Sequence, residues 1–244
     1  MITKAEIKEI RALAQKKFRD AAGLFTVEGE KLVEEALRSG FEVVKVYRTE
    51  EIGAENMARI SMLTHPSPAL AVVRKPTQPE LVPASGELML ALDSLRDPGN
   101  VGTILRIADW FGIRTVVASP DTVELYNPKV VQATMGAIFR VNVHYVELTG
   151  WLDEVLAAGG KVYGTFLDGR RIYDQPLETG ENAPSVIVIG NESNGISPAV
   201  AARVSDRLFI PPYPGDEPTS ESLNAAVATA VTVAEFRRRL WASR

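Results

Sequence analysis

Six short apolar runs lie along the last two thirds of the chain: LMLAL (88–92), RTVVAS (114–119), RVNVHYV (140–146), KVYGTF (161–166), SVIVIG (185–190) and RLFIP (207–211). They are largely continuous rather than alternating. Such strands need cover on both faces, which is the condition of a parallel sheet inside an α/β fold. Helical segments starting near Asn100, Pro128, Trp151 and Pro198 separate the runs, and a last helix spans about Ser222 to Trp241. Ligands in such sheets sit beyond the carboxyl ends of the strands. The Gly- and Pro-rich loops of this sequence fall there.

A second, smaller α/β unit precedes these runs. Residues 3–18 read as a charged amphipathic helix, LFTVEG as a strand and turn, and EKLVEEALRSG as a helix ended by Gly40. FEVVKVYRT and ALAVVRK read as strands. Pro76, Pro79, Pro83 and Gly86 mark a linker at 74–87. The expected domains are therefore 1–80 and 86–244. The first contains no catalytic constellation, so binding suits it better than chemistry.

Composition removes several function classes. There is no cysteine, which excludes disulfides, thiolate metal sites and cysteine nucleophiles. With His65 and His144 the only histidines, no metal site is expected. No apolar run approaches the roughly 20 residues of a membrane span, and the N-terminus lacks a signal-peptide core, so a cytoplasmic protein is expected. The net charge of −4 does not advertise a nucleic-acid binder. The charge is uneven, however: residues 1–86 carry 13 Lys+Arg against 12 Asp+Glu, and residues 87–244 carry 14 against 19.

Three loops carry the chemistry. In DPGNVGTILR (97–106), Asn100 reads as a helix N-cap, and Gly99 and Gly102 let backbone approach a ligand. Val101, Ile104, Leu105, Ala108 and Phe111 form the apolar stripe, leaving Thr103 and Arg106 on another face. Arg106 offers a planar fork of donors suited to phosphate; a salt bridge to Asp97 or Asp109 is the plainer use. In VIVIGNESNGIS (186–197), Glu192 sits in a glycine-bracketed turn at a strand end, where it could equally serve a helix dipole. In LFIPPYPGDEPTSESLNAAVATA, a strand stops at Pro211-Pro212 and a small-residue helix starts after a long loop. Its alanines suit close approach of a ligand or tight helix packing. None of the loops is a GxxxxGK[ST] or GxGxxG phosphate loop.

Taken together, NVGTILR, IGNESNGIS and IPPYPG…SLNAAVA resemble, in order and spacing, the three motifs of the SpoU (TrmH-type) RNA 2′-O-ribose methyltransferases of the SPOUT superfamily. KKFRDAAGLFTVEGEKLVEEAL also resembles the N-terminal RNA-binding domain that many members carry. The resemblance implies a C-terminal SPOUT methyltransferase domain tied in a deep trefoil knot, S-adenosylmethionine as cofactor, and a homodimer. It implies that Arg106 is the catalytic arginine with Asn100 beside it. Glu192 is the acidic residue of the second motif, and Ser222 and Asn224 belong to the third. Thr165, Gly190, Asn191, Ile210 and Leu223 would bind the cofactor. One departure is visible: Ala225-Ala226 stands where many members have Val-Ser.

The implied reaction is methylation of a ribose 2′-hydroxyl, in ribosomal RNA before transfer RNA, with guanosine of the large subunit first. Arginine ionises above about 12 and is a poor proton acceptor. Arg106 is therefore expected to position the hydroxyl and its phosphate and to stabilise developing negative charge. Lys16, Lys17, Arg19 and Lys31 are the expected phosphate contacts of the first domain. A non-catalytic RNA-binding protein of the same fold is the alternative, although such a protein would be expected to lose Arg106, Glu192 or Asn224.

Overall fold

In a computed structural model, residues 2–83, 86–177, 183–215 and 220–242 are described. The elements in chain order are α1 (Lys4–Ala12), α2 (Lys16–Ala22), β1 (Leu24–Glu28), α3 (Glu30–Arg38), β2 (Val43–Arg48), α4 (Thr49–Ile52), α5 (Ala54–Ile60) and β3 (Ala69–Arg74). There follow β4 (Leu88–Leu92), α6 (Pro98–Trp110), β5 (Thr115–Ala118), α7 (Pro128–Thr134), β6 (Asn142–Tyr145), α8 (Leu148–Ala157), β7 (Lys161–Arg171), β8 (Ser185–Ile189), α9 (Pro198–Ala201), β9 (Asp206–Phe209) and α10 (Ala225–Ala242). They form two compact units: residues 1–78 with 124–140, and residues 79–123 with 141–244.

In the first unit β3 lies between β1 and β2 in an antiparallel sheet. Leu70 and Val72, two apart on β3, join Ile7, Ile10, Tyr47 and Met57 in one buried cluster. The long N-terminal helix expected from the charge pattern is two helices. α1 opens on a Thr3–Glu6 capping box, and its last turn ends at Leu13, a buried apolar residue. The segment 124–140 packs within this unit although it follows β5. Tyr126 meets Phe25 with ring centroids 4.6 Å apart, and Phe139 meets Phe41 at 5.1 Å edge-on.

Arg19 corrects the sequence reading. It is only 2% exposed. Its guanidinium donates to the carbonyls of Leu13 and Ala14 at 2.8 and 2.9 Å and pairs with Glu124 at 2.5 Å. Those bonds close the α1–α2 turn and tie it to 124–140, so Arg19 serves the fold and not RNA. Arg19→Ala leaves the Glu124 carboxylate, among the described residues, with Lys75, 3.5 Å away, as its remaining ion-pair partner. The expected cost is about 3 kcal/mol, the lower end for breaking a buried pair. It is read as lost hydrogen-exchange protection of the β1 and β3 amides. Lys17→Ala, on the surface, is expected to change that protection by less than about 0.5 kcal/mol.

The second unit is the expected parallel sheet, in the order β6-β5-β4-β8-β7-β9. All five residues of β4 and of β8 are buried. Val186 and Val188 join Met89, Ala91, Val162 and the α8 residues Trp151, Leu152 and Val155 in one core. Tyr163, on the alternate parity of β7, meets Phe236 of α10 edge-on at 4.9 Å. The chain builds β4, β5 and β6 outward in one direction. It then returns on the other side, with β8 between β4 and β7. The reversal at β4/β8 is a topological switch point, where α/β sheets open a crevice.

Candidate active site at the β4/β8 switch point

Two loops leave the carboxyl ends of β4 and β8 side by side. Asp93, buried at the end of β4, accepts a hydrogen bond from the Ser197 backbone N–H at 2.7 Å. Asn191 donates from Nδ2 to the Ser94 carbonyl at 2.6 Å. Its Oδ1 accepts from the N–H groups of Ser193 and Asn194 at 3.0 and 3.1 Å, which folds residues 191–195 into a closed turn. Ser94 takes a left-handed backbone, φ 60°, uncommon for a residue with a side chain.

The helix after β4 starts earlier than expected. Asp97, not Asn100, is the N-cap of α6: its carboxylate accepts from the Asn100 N–H at 2.7 Å, and Pro98 occupies the first turn. Asp-Pro is a stronger start signal than an asparagine two residues later. The consequence is that the Asn100 side chain is free to act. Its Nδ2 donates to Glu192 Oε1 at 3.0 Å, and its Oδ1 accepts from Asn224 Nδ2 at 2.8 Å. Asn224 in turn accepts the N–H groups of Ala226 and Val227, at 2.9 and 3.3 Å, at the start of α10. One chain of side chains, Asn224 to Asn100 to Glu192, thus joins the three sequence motifs.

Glu192 also accepts from the backbone N–H groups of Asp97 (3.2 Å) and Arg96 (3.4 Å). Burial alone would push its carboxyl up. The hydrogen bonds from Asn100, from its own backbone and from Asp97 and Arg96 outweigh that and hold it below the usual carboxylate range. Glu192 is therefore an anion at neutral pH. Its oxygens are engaged with the loop that starts α6.

Thr165, Gly190, Asn191, Ile210 and Leu223, the expected cofactor residues, all line one cavity of about 490 Å³, together with Glu192 and Ser222. Gly190 is there of necessity: a Cβ on it would lie 2.3 Å from the backbone of Gly195 and Ile196. The motifs did not point to Phe166 and Leu167, which also line the cavity. They sit at an irregularity of β7, where pairing with β9 shifts register between Thr165 and Arg170. Arg207 stacks on the Phe166 ring, 3.5 Å from its centroid, and pairs with Asp168 at 2.5 Å. No short motif signals such a bulge.

Arg106 lies in the row Asn100, Thr103, Arg106 along α6, exposed and with no hydrogen bond or ion pair among the described residues. The salt bridge to Asp97 or Asp109 is not formed. The cavity lining does not include Arg106. In the first unit, Lys16 pairs with Asp20 at 2.6 Å, which raises the Lys16 pKa; Lys16 and Lys75 together lower that of Asp20 to about 2. Lys17 and Lys31 are exposed. The long loop before Ser222 includes 216–219, which lie outside the described residues. Among the described residues no helix is long and apolar enough to cross a membrane.

A parallel sheet whose switch-point loops are joined through Asn100, Asn191 and Glu192 beside one cavity defines an α/β ligand-binding site. Residues 87–234 match the SpoU rRNA Methylase family, and the chain belongs to that family. Residues 4–78 match the MRM3-like substrate binding domain. The chain is 32% identical to the 23S rRNA (guanosine(2553)-2′-O)-methyltransferase RlmP of Bacillus subtilis, over 95% of this chain and 96% of that one. Among solved structures, a TrmH-family protein from Porphyromonas gingivalis is 40% identical with a TM-score of 0.87, covering 98% of this chain and 99% of its own. An AdoMet-bound rRNA methyltransferase from Sinorhizobium meliloti is 30% identical with a TM-score of 0.83, over 98% and 97%.

Proposed function

We propose that this protein transfers the methyl group of S-adenosylmethionine to a ribose 2′-hydroxyl of ribosomal RNA. The observation that carries the reading is the convergence of three loops, distant in sequence, on one cavity tied by Asn100 to the helix bearing Arg106. The reactions in the names of the B. subtilis and S. meliloti proteins support ribosomal RNA over transfer RNA. The former also supports a large-subunit guanosine.

The residues present fit the cofactor. A cavity of about 490 Å³ is in the range for a ligand of nucleoside size or larger. Gly190 brings bare backbone to its wall, and Ile210 and Leu223 give it apolar sides. Thr165, Gly190, Asn191, Ile210 and Leu223 would hold S-adenosylmethionine, which when bound supplies a methyl group already activated by its sulfonium. The chain's own residues do the rest. Arg106 orients the ribose hydroxyl and adjacent phosphate and stabilises the oxygen as its proton leaves. Glu192, saturated by N–H donors, holds Asn100 and the α6 loop in place and is not the proton acceptor. Asn224 fixes the Asn100 amide from the other side, and Ser222 lines the cavity.

The first unit holds the RNA, with Lys17 and Lys31 the phosphate contacts that its surface supports and Lys16 a third, competing with Asp20. The working form is a homodimer. Trp110 on α6 and Val227 and Trp241 on α10 are exposed apolar side chains suited to a second copy. Threading of the C-terminal part as a deep trefoil knot is the arrangement that the insertion of β8 between β4 and β7 supports, and a cytoplasmic location is the reading that the bacterial relative from B. subtilis supports.

The test is transfer from radiolabelled S-adenosylmethionine to ribosomal and transfer RNA taken from cells lacking the protein, followed by digestion to nucleosides. A 2′-O-methyl nucleoside from ribosomal RNA alone is expected. Label in transfer RNA alone would overturn the substrate class. No cofactor binding and no transfer would leave a non-catalytic RNA-binding protein.

A further inference from the structure

The first unit holds a cavity of its own, about 510 Å³, unrelated to the residues of the methyl-transfer site. α1, α2 and β2 form most of its wall, with Leu24 of β1 and Val72 of β3 completing it. α1 presents Glu9, Ile10 and Leu13. α2 presents Phe18, Ala21 and Ala22, three and four apart on one helical face. β2 presents Tyr47 and also Val44, the extra residue where its pairing with β3 slips between Val43 and Lys45. The two alanines are too short to fill the space between α2 and the sheet, so the hollow stays open. Phe18 is 41% and Val44 46% exposed at its mouth.

The charged side chains that line the cavity are Glu6, Glu9 and Lys45, and Lys17 flanks it beside Phe18. Lys17 stands 4.7 Å from the Phe18 ring centroid and has no acidic partner among the described residues. Lys45 stands 5.0 Å from the Tyr47 ring and is paired with Glu6 at 2.5 Å. Glu9, by contrast, has no hydrogen bond or ion pair among the described residues. An occupant should therefore be flat and apolar in its faces, carry N–H donors on an edge, and bring an anion with it. A nucleobase displaced from its stack meets all three conditions, because aromatic side chains take its face while charged groups take its edge and its phosphate. A protein segment would have to supply these groups from separate residues, whereas one nucleotide carries all three.

We propose that this groove takes one unstacked nucleobase of the RNA, its N–H edge on Glu9, its face against Phe18 and its phosphate at Lys17. The proposal rests on the reading that the first unit holds RNA. Guanine fits best, since its N1–H and N2–H can both reach one carboxylate, whereas uracil offers a single N–H.

The experiment uses the full chain and fluorescence anisotropy with two labelled single-stranded hexamers, UUGUUU and UUUUUU. Wild type is expected to bind the guanosine hexamer more tightly. Phe18→Ala should weaken both by about tenfold, within the range for losing one base–aromatic stack. Glu9→Gln should erase the guanosine preference and leave the uridine hexamer unchanged. Both side chains are exposed, so unfolding temperature and S-adenosylmethionine affinity should match wild type. Equal affinities across the three chains would overturn the groove as a base site. So would a shift of Phe18→Ala from dimer to monomer in sedimentation, which would assign the groove to a second copy. Wild-type transfer to ribosomal RNA together with unmoved hexamer affinities would remove this proposal and spare the enzymatic one. Absent transfer with moved affinities would do the reverse.

Discussion

Arg106→Ala is expected to lower the rate of methyl transfer by roughly a hundred- to a thousandfold, the size of effect seen when one preorganised donor to a developing oxyanion is removed. The side chain is exposed and has no partner among the described residues, so its loss should leave stability within about 0.5 kcal/mol of wild type. Arg106 does not line the cofactor cavity. S-adenosylmethionine affinity should therefore be unchanged, and the defect should appear in kcat with single-turnover kinetics on ribosomal RNA. Arg106→Lys is the sharper probe. It restores the charge but not the two parallel N–H donors of the guanidinium fork. If the fork positions ribose and phosphate together, the lysine variant stays far below wild type. A lysine variant with most of the activity would reduce Arg106 to a point charge and remove its positioning role.

The free state of Arg106 was not evident from its surroundings in sequence. Asp97 and Asp109 lie nine and three positions away and looked like natural partners. Asp97 is instead the cap of α6, and Asp109 faces Arg114 at 3.5 Å. With both carboxylates engaged elsewhere, the arginine has no ion-pair partner among the described residues. The same cap frees the side chain of Asn100, a residue type whose local sequence suits the helix boundary. Its partners are 92 and 124 residues away. No spacing rule reaches that far, and the roles of Asn100, Glu192 and Asn224 came from resemblance rather than from periodicity.

The strands were legible for a plain reason. LMLAL and SVIVI are buried on both faces, so their apolar residues run without a polar break. Their neighbours were not legible, because a buried strand reads the same wherever it sits in the sheet. The membership of 124–140 in the first unit was hidden for a related reason. It depends on Tyr126 and Phe139 finding Phe25 and Phe41, aromatic contacts across about a hundred residues of chain. Arg19 shows the opposite limit. A basic side chain in a basic helix reads as solvated, and only the chain closure onto Leu13, Ala14 and Glu124 explains its burial.

Gly190→Ala is expected to damage the cofactor site more than any other small change at its wall. A Cβ there falls 2.3 Å from the Gly195 carbonyl carbon and the Ile196 nitrogen, and these are backbone atoms that cannot rotate away. Overpacking against side chains typically costs about 1–3 kcal/mol, and an obstacle of backbone leaves only movement of the turn itself. That turn is pinned by Asn191 to Ser94 and by Ser197 to Asp93, and Ile196 is a core residue. Moving it either breaks these bonds or opens the cavity. Both outcomes should weaken S-adenosylmethionine binding by more than about tenfold, each tenfold being about 1.4 kcal/mol. Gly195→Ala separates this cause from general glycine strain. Gly195 has φ 68° but no atom within 4 Å of an added Cβ, so it incurs only the left-handed penalty of about 1–2 kcal/mol. Calorimetric titration of the two variants with S-adenosylmethionine should place Gly190→Ala well below Gly195→Ala in affinity. If the order were reversed, the limiting property of the wall would be the backbone conformation of its turn and not the close approach of strand β8 to that turn.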